Sequence, residues 1–136
     1  EKPINFDAKL EVVGCFIECN NEILLLLRQD NKSEPNTYWV PAWKVEKWES
    51  IDDAIIREIH EETWLELDNL SYFKKTYVQY PSHQIIFHIY HKELKSKPQI
   101  KINPNEHKNF IWRSYKNALN ENLMQELDSC IKLFYK

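Results

Sequence analysis

Residues 42–67 read "AWKVEKWESIDDAIIREIHEETWLEL", and they set Glu58, Glu61 and Glu62 into the last turns of one helix with a tryptophan beyond each end. Ser50 followed by Asp53 has capping-box spacing, which predicts a helix over 50–63. At about 100° per residue and with Glu58 at zero, Glu61 falls near 300° and Glu62 near 40°. Ile55, Ile59 and Ile56 fall at about 60°, 100° and 160°, so a core stripe lies beside the carboxylates. Like charges at these spacings cost roughly 0.2–0.5 kcal/mol each. The helix dipole adds about 0.3–1 kcal/mol for each glutamate of the last turn. A domain stable by ~5–15 kcal/mol tolerates this, but something must offset it in use. A hard divalent cation does so, because Mg²⁺ takes carboxylate oxygens and keeps waters that a phosphate can replace. The plainer reading is a solvated acidic face. What favours the cation is the company of Arg57 and Glu49, since an arginine beside a metal-binding glutamate can hold it by hydrogen bonds.

Outward from this helix, "AKLEVVGCFIEC" carries apolar residues at both parities, as a strand covered on both faces does. "EILLLLRQ" reads the same way, and Asn20-Asn21 between them predicts a tight turn, so the pair forms a central hairpin. "DNKSEPNTY" is a polar loop. "LSYFKKTYVQY" and "SHQIIFHIYHKEL" are two further strands joined through Tyr80-Pro81-Ser82. "KSKPQIKINPNEHKN" is a polar connection with room for one short strand, and "FIWRS" is a last strand. "ALNENLMQELDSCIKLFYK" reads as a terminal helix with Leu123, Leu127, Cys130, Ile131 and Phe134 on one face. Strands, helix, strands, helix predict an α/β/α sandwich with a mixed central sheet.

The chain has 136 residues, 43% hydrophobic and 13% aromatic, the size and apolar content of a single domain over 1–136. A net charge of −3 argues against collecting a nucleic acid polymer by bulk electrostatics. No apolar run approaches the ~20 residues needed to cross a bilayer, and residues 1–11 hold no signal-peptide core. The expectation is a soluble, cytoplasmic protein that does not engage a membrane. Cys15, Cys19 and Cys130 form no closely spaced metal pattern and read as buried free thiols.

The stretch from residue 43 to 65 resembles the signature of the Nudix hydrolase family, G-x(5)-E-x(7)-R-E-U-x-E-E-x-G-U, with U a bulky aliphatic. Glu49, Arg57, Glu58, Ile59, Glu61, Glu62 and Leu65 stand at every required spacing, and only the two glycines fail. "YWVPAWK" and "NEHKNFIWRS" also look like family segments. The resemblance implies the Nudix fold and Mg²⁺- or Mn²⁺-dependent hydrolysis of a nucleoside diphosphate linked to another moiety. It implies that Glu58, Glu61 and Glu62 bind the metals and that Arg57 and Glu49 orient them. Lys44 and Arg28 are candidates for substrate phosphate. The general base stays open among Glu61, Glu62 and Glu106, the last in the loop "NPNEHKN". A small nucleotide such as a nucleoside triphosphate is the favoured substrate, with a dinucleotide or a nucleotide sugar as the alternatives. Its specificity would come from aromatics outside the signature, with Tyr38, Tyr80, Phe87 and Phe110 as candidates. The resemblance leaves monomer and homodimer both open.

Trp43 and Trp64 fill the two glycine slots of the signature. Trp39 and Trp48 also stand where relatives often have glycine, and Trp112 alone falls where tryptophan is common. Five tryptophans therefore accompany a single glycine, Gly14. Trp64 follows a helix end, where αL backbone suits glycine and costs other residues roughly 1–2 kcal/mol. One hypothesis is that the four are glycines read as tryptophan, from a gene whose code assigns UGA to glycine; UGG codons at all four positions of the source DNA would end it. The alternative is divergence, with indoles filling the site. On either view, Trp43 and Trp48 crowd a loop that should approach phosphate closely, so catalysis by the chain as written is expected to be impaired. Two rivals follow. "HEETW" resembles the start of a zinc-protease helix but lacks a histidine four residues after His60. A catalytically inactive Nudix-fold module that binds a nucleotide or a partner is the other. His83, His88, His91 and His107 read as ordinary core or surface residues.

Overall fold

The structure, a computed structural model, describes residues 10–80 and 84–135. Its strands are β1 (Leu10–Cys19), β2 (Glu22–Arg28), β3 (Tyr38–Trp39), β4 (Ala42–Lys44), β5 (Ser71–Gln79), β6 (Gln84–Leu94) and β7 (His107–Arg113). Its helices are α1 (Ile51–Thr63), α2 (Tyr115–Ala118) and α3 (Leu127–Phe134). They form a mixed sheet in the order β3-β2-β1-β6-β5, with β4 paired to β1 and β7 to β2. The β1–β6 pair is parallel and every other pair antiparallel. This is the expected sandwich.

The both-parity patterning of β1 and β2 is used in full. Val13, Cys15, Ile17, Leu24 and Leu26 face α1 through Ala54, Ile55 and Ile59. Val12, Phe16, Ile23 and Leu25 face the opposite layer, where α2 and α3 supply Ala118, Leu127, Cys130 and Ile131. The central hairpin turns on Asn20 and Asn21 at φ of 52° and 63°, the two positive angles that a type I′ turn requires. Gly14 is needed for space: a Cβ there would lie 2.7 Å from the Phe87 ring and 3.1 Å from the Ala42 Cβ. All three cysteines are buried free thiols. No helix among the described residues is long and apolar enough to cross a membrane.

Several expectations need correction. Of the terminal helix expected from Ala118 onward only α3 forms: α2 ends at Ala118, residues 119–126 are not helical, and Leu123 lies on neither helix. Residues 122–124 instead bond to β3, where the Tyr38 N–H donates to the Asn122 carbonyl at 2.8 Å and the Met124 N–H to the Tyr38 carbonyl at 3.0 Å. Glu126 at φ 76° then turns the chain into α3. The short strands β3 and β4 carry no clear period and were not anticipated. β7 begins at His107, earlier than "FIWRS" suggests, and no strand forms over 95–106. Ile56 is exposed rather than part of the core stripe. The Pro81-Ser82 joint and His83 lie outside the described residues.

Candidate active site

The helix that carries the glutamates is built as its spacing predicts. The Ser50 hydroxyl accepts from the Asp53 N–H at 3.1 Å, fixing the start of α1. At the other end Trp64 adopts αL backbone, φ 66° and ψ 9°, and its N–H donates to the His60 carbonyl at 2.8 Å. The indole thus accepts the left-handed conformation that glycine would hold freely. Its exposed ring lies 5.3 Å from His60 and 5.0 Å from the Lys101 ammonium.

Arg57 is the hub of the site. Its Nε and Nη2 donate to the two Glu49 carboxylate oxygens at 3.0 and 2.6 Å. Its Nη1 donates to Glu58 Oε1 at 2.7 Å and Glu61 Oε2 at 3.1 Å. Nη2 also reaches the Lys44 carbonyl at 3.4 Å. One guanidinium therefore ties the loop after β4 to the middle of α1, a fork geometry that lysine cannot reproduce. The Arg57 hydrogen bonds hold the Glu49 carboxyl below the usual carboxylate range, and the Glu46 N–H, donating at 2.9 Å, assists.

Glu58 and Glu62 are buried while Glu61 is exposed. Burial pushes the Glu58 carboxyl up, with Arg57 pulling the other way. Glu62 is raised well above the ordinary 4.5, first by burial and then by the charge of Glu58 beside it. Glu106 raises Glu62 further, and the Ala42 N–H opposes. His107, next along the chain, is buried with Nε2 4.0 Å from Glu62 Oε1, beyond hydrogen-bonding distance. Its Nδ1 is a buried side-chain atom without a partner among the described residues. Burial, aided by Arg28, pushes the imidazole down to about 4, so it is neutral near pH 7.

These groups line a cavity of about 720 Å³. Glu58, Glu61, Glu62 and Glu106 share it with Arg28, Lys32 and Lys44, while Val12, Trp39, Tyr80, Ile85 and Met124 form apolar wall. The chain thus brings together six of the expected site residues, Glu58, Glu61, Glu62, Glu106, Lys44 and Arg28. Arg57 and Glu49 stand behind them as supports. Arg28 is buried and already engaged, donating to the Ser33 carbonyl at 2.8 Å and to Ser33 Oγ at 3.1 Å. Of the four aromatics considered for specificity, only Tyr80 lines the cavity; Phe87 is core, and Tyr38 and Phe110 pack against the two core clusters. Trp43 lines the cavity with its ring half exposed and the Lys44 ammonium 5.6 Å away. Trp48 is 81% exposed, outside the cavity lining, and Trp39 is buried against Phe87. Sequence reasoning missed Lys32, which sits in an aperiodic polar loop. It also set aside His107, whose one signal was adjacency to Glu106.

The donor set suits a hard cation, being all carboxylate oxygen. Among the described residues, no group of three or more His, Cys, Asp or Glu is arranged around a single metal point. Arg57 engages Glu58 Oε1 and Glu61 Oε2, oxygens that such a point would use. Mg²⁺ asks for only one or two carboxylates when phosphate oxygens complete its shell, so the residues fit it.

The chain belongs to the Nudix hydrolase family: the NUDIX domain model matches residues 8–134. Among curated proteins it is similar to the 8-oxo-dGTP diphosphatase of Escherichia coli (strain K12), at 31% identity over 78 residues. That match covers 57% of this chain and 60% of the relative's length. Among solved structures it is similar to the MutT protein from Methanosarcina mazei Go1, with TM-score 0.82 and 20% identity over 98% of this chain and 96% of that one. It is also similar to the NUDIX domain of Shewanella oneidensis NrtR complexed with ADP ribose, with TM-score 0.81 and 15% identity over 99% and 92% of the two chains. At these identities, the two solved structures speak for the fold.

Proposed function

We propose that the protein is a Mg²⁺- or Mn²⁺-dependent pyrophosphohydrolase acting on a nucleoside diphosphate linked to another moiety, with a nucleoside triphosphate as the first candidate. The observation that carries this reading is the buried Glu58 and Glu62 with exposed Glu61, of which Arg57 holds Glu58 and Glu61, facing a cavity that also presents Lys44 and Arg28. The diphosphatase activity named for the E. coli relative supports it.

In this reading Glu58, Glu61 and Glu62 would hold the metal, and Arg57, itself braced by Glu49, fixes the carboxylates of Glu58 and Glu61. A bound cation would supply charge neutralisation at the pyrophosphate and lower the pKa of a water, which attacks phosphorus once a base has taken its proton. Lys44 is exposed at the cavity and free to meet a phosphate oxygen, while Arg28 lends positive potential from below. The base that takes the water's proton is Glu61, Glu62 or Glu106, all of which line the cavity. Val12, Tyr80 and Met124 offer apolar surface for the nucleoside.

The exposed ring of Trp43 inside the cavity favours a second reading, a Nudix-fold module that binds a nucleotide or partner without turnover. A product-release assay over a nucleotide panel, with any pyrophosphate converted to phosphate for detection, with and without Mg²⁺ and with Glu61→Gln as control, separates the two. Metal-dependent turnover lost in the variant supports hydrolysis. Binding without turnover, even after the tryptophans are replaced by glycine, supports the module.

A further inference from the structure

Lys32 and Glu106 come from loops far apart in sequence and meet at the cavity. Lys32 Nζ lies 3.0 Å from Glu106 Oε2, with the two side chains 30% and 45% exposed, and both residues line the cavity wall. The loops are joined at other points too. The Gln29 N–H donates to the Glu106 carbonyl at 3.1 Å, Gln29 Nε2 to the Pro104 carbonyl at 2.8 Å, and Lys108 Nζ to Asp30 Oδ1 at 2.8 Å. Those bonds fix the backbone, so the Lys32–Glu106 pair can open by side-chain rotation alone.

The pair matters because of what each member faces. The Glu106 charge reaches Glu62, and the cavity's other carboxylates, Glu58 and Glu61, are already matched by Arg57. Of the cavity cations, Arg28 is tied to Ser33. Lys32 is thus spent on a carboxylate where a phosphate would compete for it. A phosphate oxyanion is the stronger claimant, carrying more charge and more acceptor oxygens than one half-exposed carboxylate.

We propose that Lys32 and Glu106 form a latch across the cavity, which a nucleotide phosphate opens by taking Lys32 and so releasing Glu106 toward Glu62 and the cation. Lys32 is then a phosphate-contacting residue of the site, and its removal separates two affinities that a merely structural residue would lower together. The inference rests on the metal-dependent reading above.

The test is calorimetric titration of Mn²⁺ into nucleotide-free protein, for wild type, Lys32→Ala and Lys32→Arg. A half-exposed ion pair sets the scale of the change at about 2–5-fold. Lys32→Ala should bind Mn²⁺ tighter by that factor and a non-hydrolysable nucleoside triphosphate analogue weaker by at least as much, with Lys32→Arg close to wild type in both. Glu106→Gln should tighten the analogue in the absence of metal, and adding Lys32→Ala should cancel that gain. Unchanged or weaker Mn²⁺ binding by Lys32→Ala, beside a wild type that does bind, overturns the latch alone. Absence of Mn²⁺ binding by every variant overturns the metal reading, and the latch falls with it.

Discussion

Glu62 lies one helical turn beyond Glu58 on the buried side of α1, so the Glu58 charge bears directly on a carboxyl withdrawn from solvent. Both are raised above the ordinary 4.5, so over a window upward from that value the folded chain holds protons that the unfolded chain has released. Metal-free stability therefore falls as pH rises through the window, by up to about 1.4 kcal/mol per pH unit for each group. Thermal melts in EDTA across pH should show this decline, and Glu62→Gln should flatten it and raise stability near neutrality. Glu49, lowered by Arg57, acts in the opposite sense: its contribution is present above 4.5 and lost as pH falls below it. Melting temperatures that do not vary between mildly acidic and neutral pH would contradict the buried pair.

Arg57→Lys should reduce metal-dependent turnover by about 10–100-fold, the usual cost of losing a group that orients metal ligands. The lysine keeps the charge but cannot bridge Glu49, Glu58 and Glu61 at once. Steady-state kinetics at saturating metal checks this, and a rate within twofold of wild type would remove Arg57 from its role.

Trp64→Gly should stabilise the chain by about 1 kcal/mol, because αL backbone costs a non-glycine residue roughly 1–2 kcal/mol and the contacts to His60 and Lys101 return only part of it. In a domain of this size the melting temperature should rise by roughly 3–5 °C. Trp48→Gly, at a largely solvated ring, should change stability by less than about 0.5 kcal/mol. Trp39→Gly should cost ~3–5 kcal/mol by emptying its contact with Phe87. Replacing all four with glycine is expected to raise Mg²⁺-dependent activity, and a triple variant that keeps Trp39 separates access to phosphate from packing. An unchanged or lower rate in both would count against the glycine hypothesis.

Gly14→Ala should destabilise by about 1–3 kcal/mol, since the added methyl meets the Phe87 ring on a close-packed sheet. Chemical denaturation measures it. Phe87→Leu in the same background should recover part of the loss.

Most of this arrangement was legible because the determinants are local and periodic. The Ser50 cap, the Glu58, Glu61 and Glu62 spacing and the two-faced β1–β2 hairpin each follow from a short window. Trp64 was legible for the same reason, as a left-handed helix end is a property of three or four residues. The late start of the terminal helix was not, because residues 122–124 satisfy their backbone against Tyr38, a partner more than eighty positions away. Lys32 and His107 escaped for a related reason. Each acquires its meaning only when the loops at 29–37 and 103–107 are brought to the same cavity, which no period or spacing within either loop encodes.

The central claim is that these carboxylates persist at a helix end because a divalent cation settles among them with a nucleotide. It is tested most directly by counting Mn²⁺ bound by electron paramagnetic resonance, on wild type and on the variant with glycine at 39, 43, 48 and 64, in the presence of a non-hydrolysable nucleoside triphosphate. The expected result is Mn²⁺ bound beyond what the nucleotide alone takes up, displaced by Mg²⁺ and abolished by Glu58→Gln with Glu62→Gln. No Mn²⁺ bound beyond the nucleotide's own share in any sample would contradict the claim.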